Sequence, residues 1–379
     1  MRNHLLLSSL SALVFSALVA CGGDAPPPPL PPPPPPVAPP PVATTPPADT
    51  APPAVAAEPT PEEKKKAEAL EELKKDRAKW EEANKAELAR WTPEMHAAAK
   101  ALADKAYPTG RAALQAAIAG KHRAPGDADR DKYRHPAETL AFFGFKPTMT
   151  VLEIGPGEGW YTELLAPSLA AKGKLLATTA DPNGPPDMRG TFYGQRYRAF
   201  LDKAPEIYGK VQTITVDGKA PVLGLDGTVD MVVLMREVHG MVGNGTFPAW
   251  LAEINKALKP GGVLGIEEHR GLPGADPVES AKKGYVPEKY VIDQVEAAGF
   301  KLAGKSEVNA NPKDTKDYPK GVWTLPPSFE LGATDHEKYA AIGESDRMTL
   351  KFVKAPAKAA AKAATTSAPA PAPASAPKK

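Results

Sequence analysis

Between residues 123 and 354, short apolar runs alternate with segments of helical spacing. Residues 148–154 form an apolar run that ends in a glycine turn, and 160–171 follow with helical periodicity. A second apolar run covers 174–179, and 211–216 and 229–235 are rich in β-branched residues, the composition of strands. Residues 247–258 are amphipathic, and Lys259-Pro260-Gly261-Gly262 break the pattern before a strand at 263–267. Residues 288–298 read as a helix capped by Gly299. In 347–353, Met348, Leu350 and Phe352 alternate with less apolar positions, as in a half-buried strand. Strands separated by helices predict an α/β fold, with a mainly parallel sheet and helices on both faces. No internal repeat is visible.

Outside this block the pattern changes. Residues 61–91 are highly charged, and Leu70, Leu73, Trp80, Leu88 and Trp91 make an apolar stripe too irregular for a coiled coil. The segment reads as a solvated helix. Thr92-Pro93-Glu94 then supply an N-cap and a proline at the first helical position, opening a second helix to about Ala106. Residues 61–122 are therefore expected to be a helical extension packed on a domain at 123–354. Much of the proline, 45 residues in 379, lies near the two ends. Residues 21–60 suit a polyproline spacer rising about 3.1 Å per residue. The Ala/Pro/Lys tail at 355–379 has the composition of a disordered segment.

The only cysteine, Cys21, follows a leader at 1–20 with Arg2 near its start and an apolar stretch from Leu5 to Val19. That stretch is shorter than the roughly 20 residues a spanning helix needs. Leu18-Val19-Ala20-Cys21 resembles the lipobox of bacterial lipoprotein signal peptides. The resemblance implies cleavage before Cys21, lipidation of its thiol and a place in the cell envelope, on the outer membrane facing the periplasm. A formal net charge of +2 gives no electrostatic case for a nucleic-acid partner.

The candidate chemistry begins at Val151-Leu152-Glu153-Ile154-Gly155-Pro156-Gly157-Glu158-Gly159-Trp160-Tyr161. An apolar strand runs into three alternate glycines and then a helix. Glycine permits positive φ and lets the backbone approach a ligand. A dinucleotide fingerprint would place its third glycine at 160, where Trp160 stands. With an acid at Glu153, the run resembles motif I of class I S-adenosylmethionine-dependent methyltransferases. The resemblance implies a Rossmann-like seven-stranded sheet, transferase activity (EC 2.1.1) and S-adenosyl-L-methionine as cofactor. It further implies that Glu153, Gly155, Pro156, Gly157, Glu158 and Gly159 wrap the amino-acid end of that cofactor. Asp181, past the second strand, would take the ribose, although the commonest family position falls at Thr179. Asp217 and Gly218, past the third strand, would lie beside adenine. Each acid alone is equally compatible with a solvated turn.

Further strings narrow the resemblance to a little-characterised group of bacterial methyltransferases, from about Arg123 to Val353. They are 133–140, 236–239, 268–270, 309–313 and 343–348. In this fold, residues after the fourth and fifth strands project over the transferable methyl. His239 and His269 hold those places and are the candidate general bases, with Glu237 third. Arg236 and Arg270 would hold an anionic substrate or the methionine carboxylate, or else pair with neighbouring glutamates. Trp323, in the long connection 309–346, would line the acceptor pocket or pack on the core. No HExxH or paired cysteines occur, so no metal is expected. The methyl acceptor is not legible. An extracytoplasmic address is awkward for a cofactor made in the cytoplasm, which leaves a non-catalytic binding lipoprotein of the same fold as the alternative. A nicotinamide-dependent oxidoreductase is a third reading, opposed by Trp160.

Overall fold

A computed structural model of the chain describes residues 60–356. The leader, Cys21, the proline-rich segment up to residue 59 and nearly all of the tail lie outside the described residues. Among those described, no helix is long and apolar enough to cross a membrane.

Seven strands form one sheet: β1 (Thr150–Ile154), β2 (Lys174–Thr179), β3 (Gln212–Thr215), β4 (Val229–Met235), β5 (Leu258–His269), β6 (Phe300–Ser306) and β7 (Arg347–Lys354). Their order is β3-β2-β1-β4-β5-β7-β6. β1 to β5 pair in parallel, and β7 runs antiparallel between β5 and β6. The sheet is mainly parallel and Rossmann-like. Chain order reverses beside β1, so the crevice at the carboxyl ends of β1 and β4 is where a ligand is expected.

Alternation along the strands divides the core. Leu152, Val232, Leu264 and Leu350 face helices Phe247–Ala257 and Glu288–Ala297. Val151, Met231 and Val233 face helices Pro136–Phe143, Thr162–Leu169 and Arg189–Asp202. Both faces are covered, which explains why the inner strands read as continuous apolar runs.

Two differences from the sequence pattern have physical causes. The break at Lys259-Pro260-Gly261-Gly262 does not precede β5 but is looped out within it. Leu258 pairs with Val229 and Val263 with Met231, and Gly261 takes a φ of +75°. β6 escapes the pattern because it is an edge strand whose inner face carries only two large apolar residues, Phe300 and Leu302, before Gly304 and Ser306, while Lys301 and Lys305 lie on its exposed face. Edge lysines of this kind discourage pairing with other chains.

The extension comprises α1 (Pro61–Arg90), α2 (Pro93–Asp104) and α3 (Gly110–Ile118). Thr60 and Glu63 close a capping box at the start of α1. Along α1 only Leu73 is fully buried, as a solvated helix requires. It is docked rather than free. Trp80 stands edge-on to Phe192 with ring centroids 5.8 Å apart. Asp76 meets Arg189 at 2.7 Å, and Arg77 donates to Gln195 at 2.8 Å. α2 is capped by the Thr92 hydroxyl, and α3 packs on helix Thr162–Leu169.

Candidate functional site

The glycine loop leaves β1 with three left-handed residues, Gly155 (φ +64°), Gly157 (φ +58°) and Gly159 (φ +90°). Their surroundings give them different work. A Cβ at Gly155 would lie 2.5 Å from the Glu237 carboxyl carbon, and one at Gly159 would strike the Phe200 ring at 2.6 Å. A Cβ at Gly157 would meet nothing within 4 Å. Two glycines are therefore consumed by packing, and Gly157 faces open space. The Gly155 amide donates to the Thr178 hydroxyl at 3.0 Å, and the Gly159 amide to the Pro156 carbonyl at 2.9 Å. No acceptor among the described residues meets the amides of Gly157 or Glu158. Two unspent donors beside an open left-handed turn form a cradle suited to a carboxylate.

Glu153 lies beneath the loop, fully buried, and accepts a hydrogen bond from the Thr162 hydroxyl at 2.7 Å. Burial pushes its carboxyl up to about 7, against the pull of Thr162. It supports the turn from below. The exposed Glu158 contacts Arg196 at the outer edge. Beyond that edge lies a cavity of about 500 Å³ lined by Trp80, Arg130, Glu158, Trp160, Arg196 and Lys203 among others. Asp181 and Asp217 stand past the ends of β2 and β3, both exposed. Each accepts the amide two residues on, from Asn183 at 2.8 Å and Lys219 at 2.9 Å. Both carboxylates thus stand in solvated turns, and one oxygen of each has no partner among the described residues, so both alternatives remain. Gly218 spends its carbonyl on the Trp250 indole at 3.1 Å.

At the ends of β4 and β5 the candidate bases come together. The rings of His239 and His269 are 5.5 Å apart, and Trp323 stands edge-on to His239 at 6.0 Å. His239 Nδ1 lies 3.1 Å from Glu268 Oε1, and its amide donates to Glu268 Oε2 at 3.1 Å. Burial works against a charged His239 ring, but the Glu268 carboxylate and its hydrogen bond hold the pKa above the ordinary histidine value. His269 Nδ1 is 2.5 Å from the Ser345 hydroxyl. Burial, the His239 ring and nearby arginines keep that imidazole well below the usual range, hence neutral. Glu237 stands apart from the pair, against Gly155. Burial lifts its carboxyl to about 7, His239 pulls it down and Glu268 pushes it up.

The two arginines offered as substrate ligands also meet protein carboxylates, the other alternative the sequence allowed. Arg236, itself left-handed at φ +59°, pairs with Glu267 at 2.9 Å through Nη1. Arg270 meets Glu307 at 2.6 Å and Glu288 at 3.2 Å. A guanidinium carries five N–H donors, so these pairs leave both alternatives standing.

Glu267 leads into a buried network. Arg347 stands 2.6 Å from Glu267 and 2.6 Å from Glu344, and Glu344 also pairs with Arg134 at 3.1 Å. The Tyr161 hydroxyl donates to Glu267 at 3.2 Å. Asn309 bridges Thr139 and Thr349 at 2.9 and 3.0 Å. The distant strings around residues 134, 268, 309 and 345 thus meet on one side of the site. Sequence reasoning marked those strings but missed the roles of Tyr161, Ser345 and Arg347. The signal was a set of polar residues inside or beside otherwise apolar strands.

Residues 128–302 match a family model described as a methyltransferase domain. Among solved structures the chain is similar to a SAM-dependent methyltransferase from Aquifex aeolicus, at 19% identity and a TM-score of 0.40, covering 60% of this chain and 93% of that one. It is also similar to the 1,6-didemethyltoxoflavin-N1-methyltransferase of Burkholderia thailandensis, at 16% identity and a TM-score of 0.35, covering 59% and 78%. A third likeness is to the [4+2]-cyclase SpnF, at 16% identity and a TM-score of 0.43, covering 66% and 98%. No curated protein matches the chain. The family match supports a methyltransferase domain over residues 128–302.

Proposed function

We propose that the chain transfers a methyl group from S-adenosylmethionine to a small-molecule or cell-envelope acceptor held beside His239 and His269. The observation that carries this reading is the open Gly157, flanked by two amides that no protein group uses. A methionine carboxylate fits those donors. Glu237, at the other side of Gly155 and without a lysine or arginine partner among the described residues, is suited to a cationic group of the same ligand. In this reading Asp181 would take the ribose, and Asp217 with Gly218 would lie beside the adenine edge.

When bound, the cofactor supplies an electrophilic methyl group on a sulfonium. His239 and His269 stand at the carboxyl ends of β4 and β5, where an acceptor can approach from the open side. With Nδ1–H held by Glu268, neutral His239 presents Nε2 to receive the acceptor's proton. Trp323 walls this corner against water. Alignment of the acceptor supplies much of the rate, and the base contributes on the order of 10²–10⁴-fold. Because His239 must be neutral to act and its pKa is raised, turnover should climb with pH through a value above the ordinary histidine range.

The proposal extends to the leader: Cys21 would carry the lipid that anchors the protein in the envelope, outer membrane facing periplasm. Several acyl chains anchor stably where one does not. A mass spectrum of the mature N-terminus tests that part.

The experiment for the activity is calorimetric titration of the full chain with S-adenosylmethionine. Wild type should bind one equivalent and Gly157→Val should bind none, since a side chain there enters the open space. Equal binding by both would show that the loop is only a turn. Binding of NADH without S-adenosylmethionine would reverse the assignment. Once an acceptor is in hand, His239→Ala should keep cofactor affinity and lose turnover.

A further inference from the structure

The corner at the ends of β4 and β5 holds more negative charge than its protein partners balance. Glu268 is fully buried, yet among the described residues it pairs with no lysine or arginine, only with His239. Its other neighbours are neutral amides, those of His239 and His269, at 3.1 and 2.8 Å. Glu237, set against Gly155 beside this corner, has no lysine or arginine paired to it among the described residues. The nearest guanidinium, Arg236, is spent on Glu267. Buried carboxylates are paired with cations or coordinate metals, because an isolated charge costs several kcal/mol to desolvate.

Around that carboxylate the donor atoms converge. One donor atom from each of His239, Glu268 and His269 lies within 4.8 Å of the others. The His269 ring is fixed by the Ser345 hydroxyl on Nδ1, which leaves Nε2 as its outward donor. Such an outer hydrogen bond orients a metal-binding imidazole and fixes its tautomer. His239 remains 18% exposed, so the cluster opens toward the acceptor side rather than being sealed in the core.

We infer that His239, Glu268 and His269 form a binding site for a divalent transition-metal ion of the zinc class. Two imidazoles and one carboxylate suit zinc and its first-row neighbours, whereas calcium and magnesium prefer oxygen donors alone. Three protein ligands leave a fourth position open, the arrangement of catalytic rather than structural zinc. The absence of HExxH did not disclose the site, because its ligands come from two strand ends separated by 29 residues, not from one helix. With the ion in place His239 becomes a ligand. The open position would then hold the acceptor's oxygen or nitrogen, and coordination would lower that group's pKa so that its proton passes to solvent, with no protein base required. The inference stands apart from the cofactor assignment, since ion binding does not need the glycine loop.

The test uses the full chain freed of metal with a chelator, then titrated with Zn²⁺ alone. One equivalent should bind, and His239→Ala and His269→Ala should each weaken it by more than ~100-fold, beyond the ~10–100-fold that loss of an outer-shell partner costs. Ser345→Ala should fall within that smaller range. Circular dichroism checks that the variants fold. Independently of any variant, wild type loaded with Co²⁺ should show the intense visible bands of a four- or five-coordinate site. A weak hexahydrate-like spectrum, or equal Zn²⁺ binding by wild type and the His239→Ala/His269→Ala double variant, would overturn the inference. Gly157→Val should bind Zn²⁺ normally. If Zn²⁺ binds and S-adenosylmethionine does not, the metal site survives and the methyltransferase reading fails.

Discussion

The glycine loop and the Glu267–Arg347–Glu344 network flank the same crevice, and they are built in opposite ways. The loop leaves main-chain donors unspent and a left-handed glycine facing open space. The network draws its charges into the core, where Arg347 is 1% exposed and is held between two carboxylates. The first is poised for something not yet bound; the second has its charges paired within the protein, although Arg347 Nε and Glu267 Oε1 meet as an ion pair without hydrogen-bond geometry. Binding capacity therefore resides in backbone that the protein has not satisfied, and rigidity in side chains that it has. Substitutions in the network should cost folding, and substitutions at the open glycine should cost a ligand.

The largest effect is expected at Arg347. Arg347→Met leaves Glu267 and Glu344 buried beside an apolar chain, and breaking a buried pair in this way costs about 3–5 kcal/mol. Denaturant unfolding should show that loss. A change within about 0.5 kcal/mol would mean the charges are relaxed by water and the contrast with the loop is false. Next comes a pair of loop variants. Gly159→Ala combines left-handed strain with a clash against Phe200, for a sum on the order of 2–4 kcal/mol. Gly157→Ala carries only the strain, about 1–2 kcal/mol. Equal destabilisation would mean that Gly157 does not face open space.

The last effect concerns pH. Glu237 has a folded pKa of about 7, above its unfolded value of about 4.3. The unfolded chain gives up this proton first, so stability is lost as pH rises from about 4.3 to about 7. Glu153, also raised to about 7, contributes with the same sign. Glu237→Gln should flatten part of that slope in thermal melts between these pH values. An unchanged slope would show that Glu237 is solvated and not set against the loop.

How much of this was legible depends on where each residue's partners lie. β2 and β4 could be read because their apolar residues are contiguous and their ends fall at glycine, aspartate or arginine. The glycine loop could be read because three positions two residues apart carry the whole signal. Helix Arg189–Asp202 was obscured by Gly190 and Gly194; Gly194 is required because a Cβ there would lie 2.4 Å from the Ala180 carbonyl. The ion network was illegible as contacts, since Arg134 and Glu344 are 210 residues apart and only the folded chain brings them together. The role of Ser345 was hidden for the same reason: its partner, His269, stands at the end of β5, 76 residues earlier.

A crystal structure of the chain with S-adenosylhomocysteine tests the central claim most directly. The account predicts its carboxylate within hydrogen-bond distance of the Gly157 and Glu158 amides, with its sulfur turned toward His239 and His269. Density for the ligand in the cavity beside Trp80 instead, with those two amides still unpaired, would contradict it.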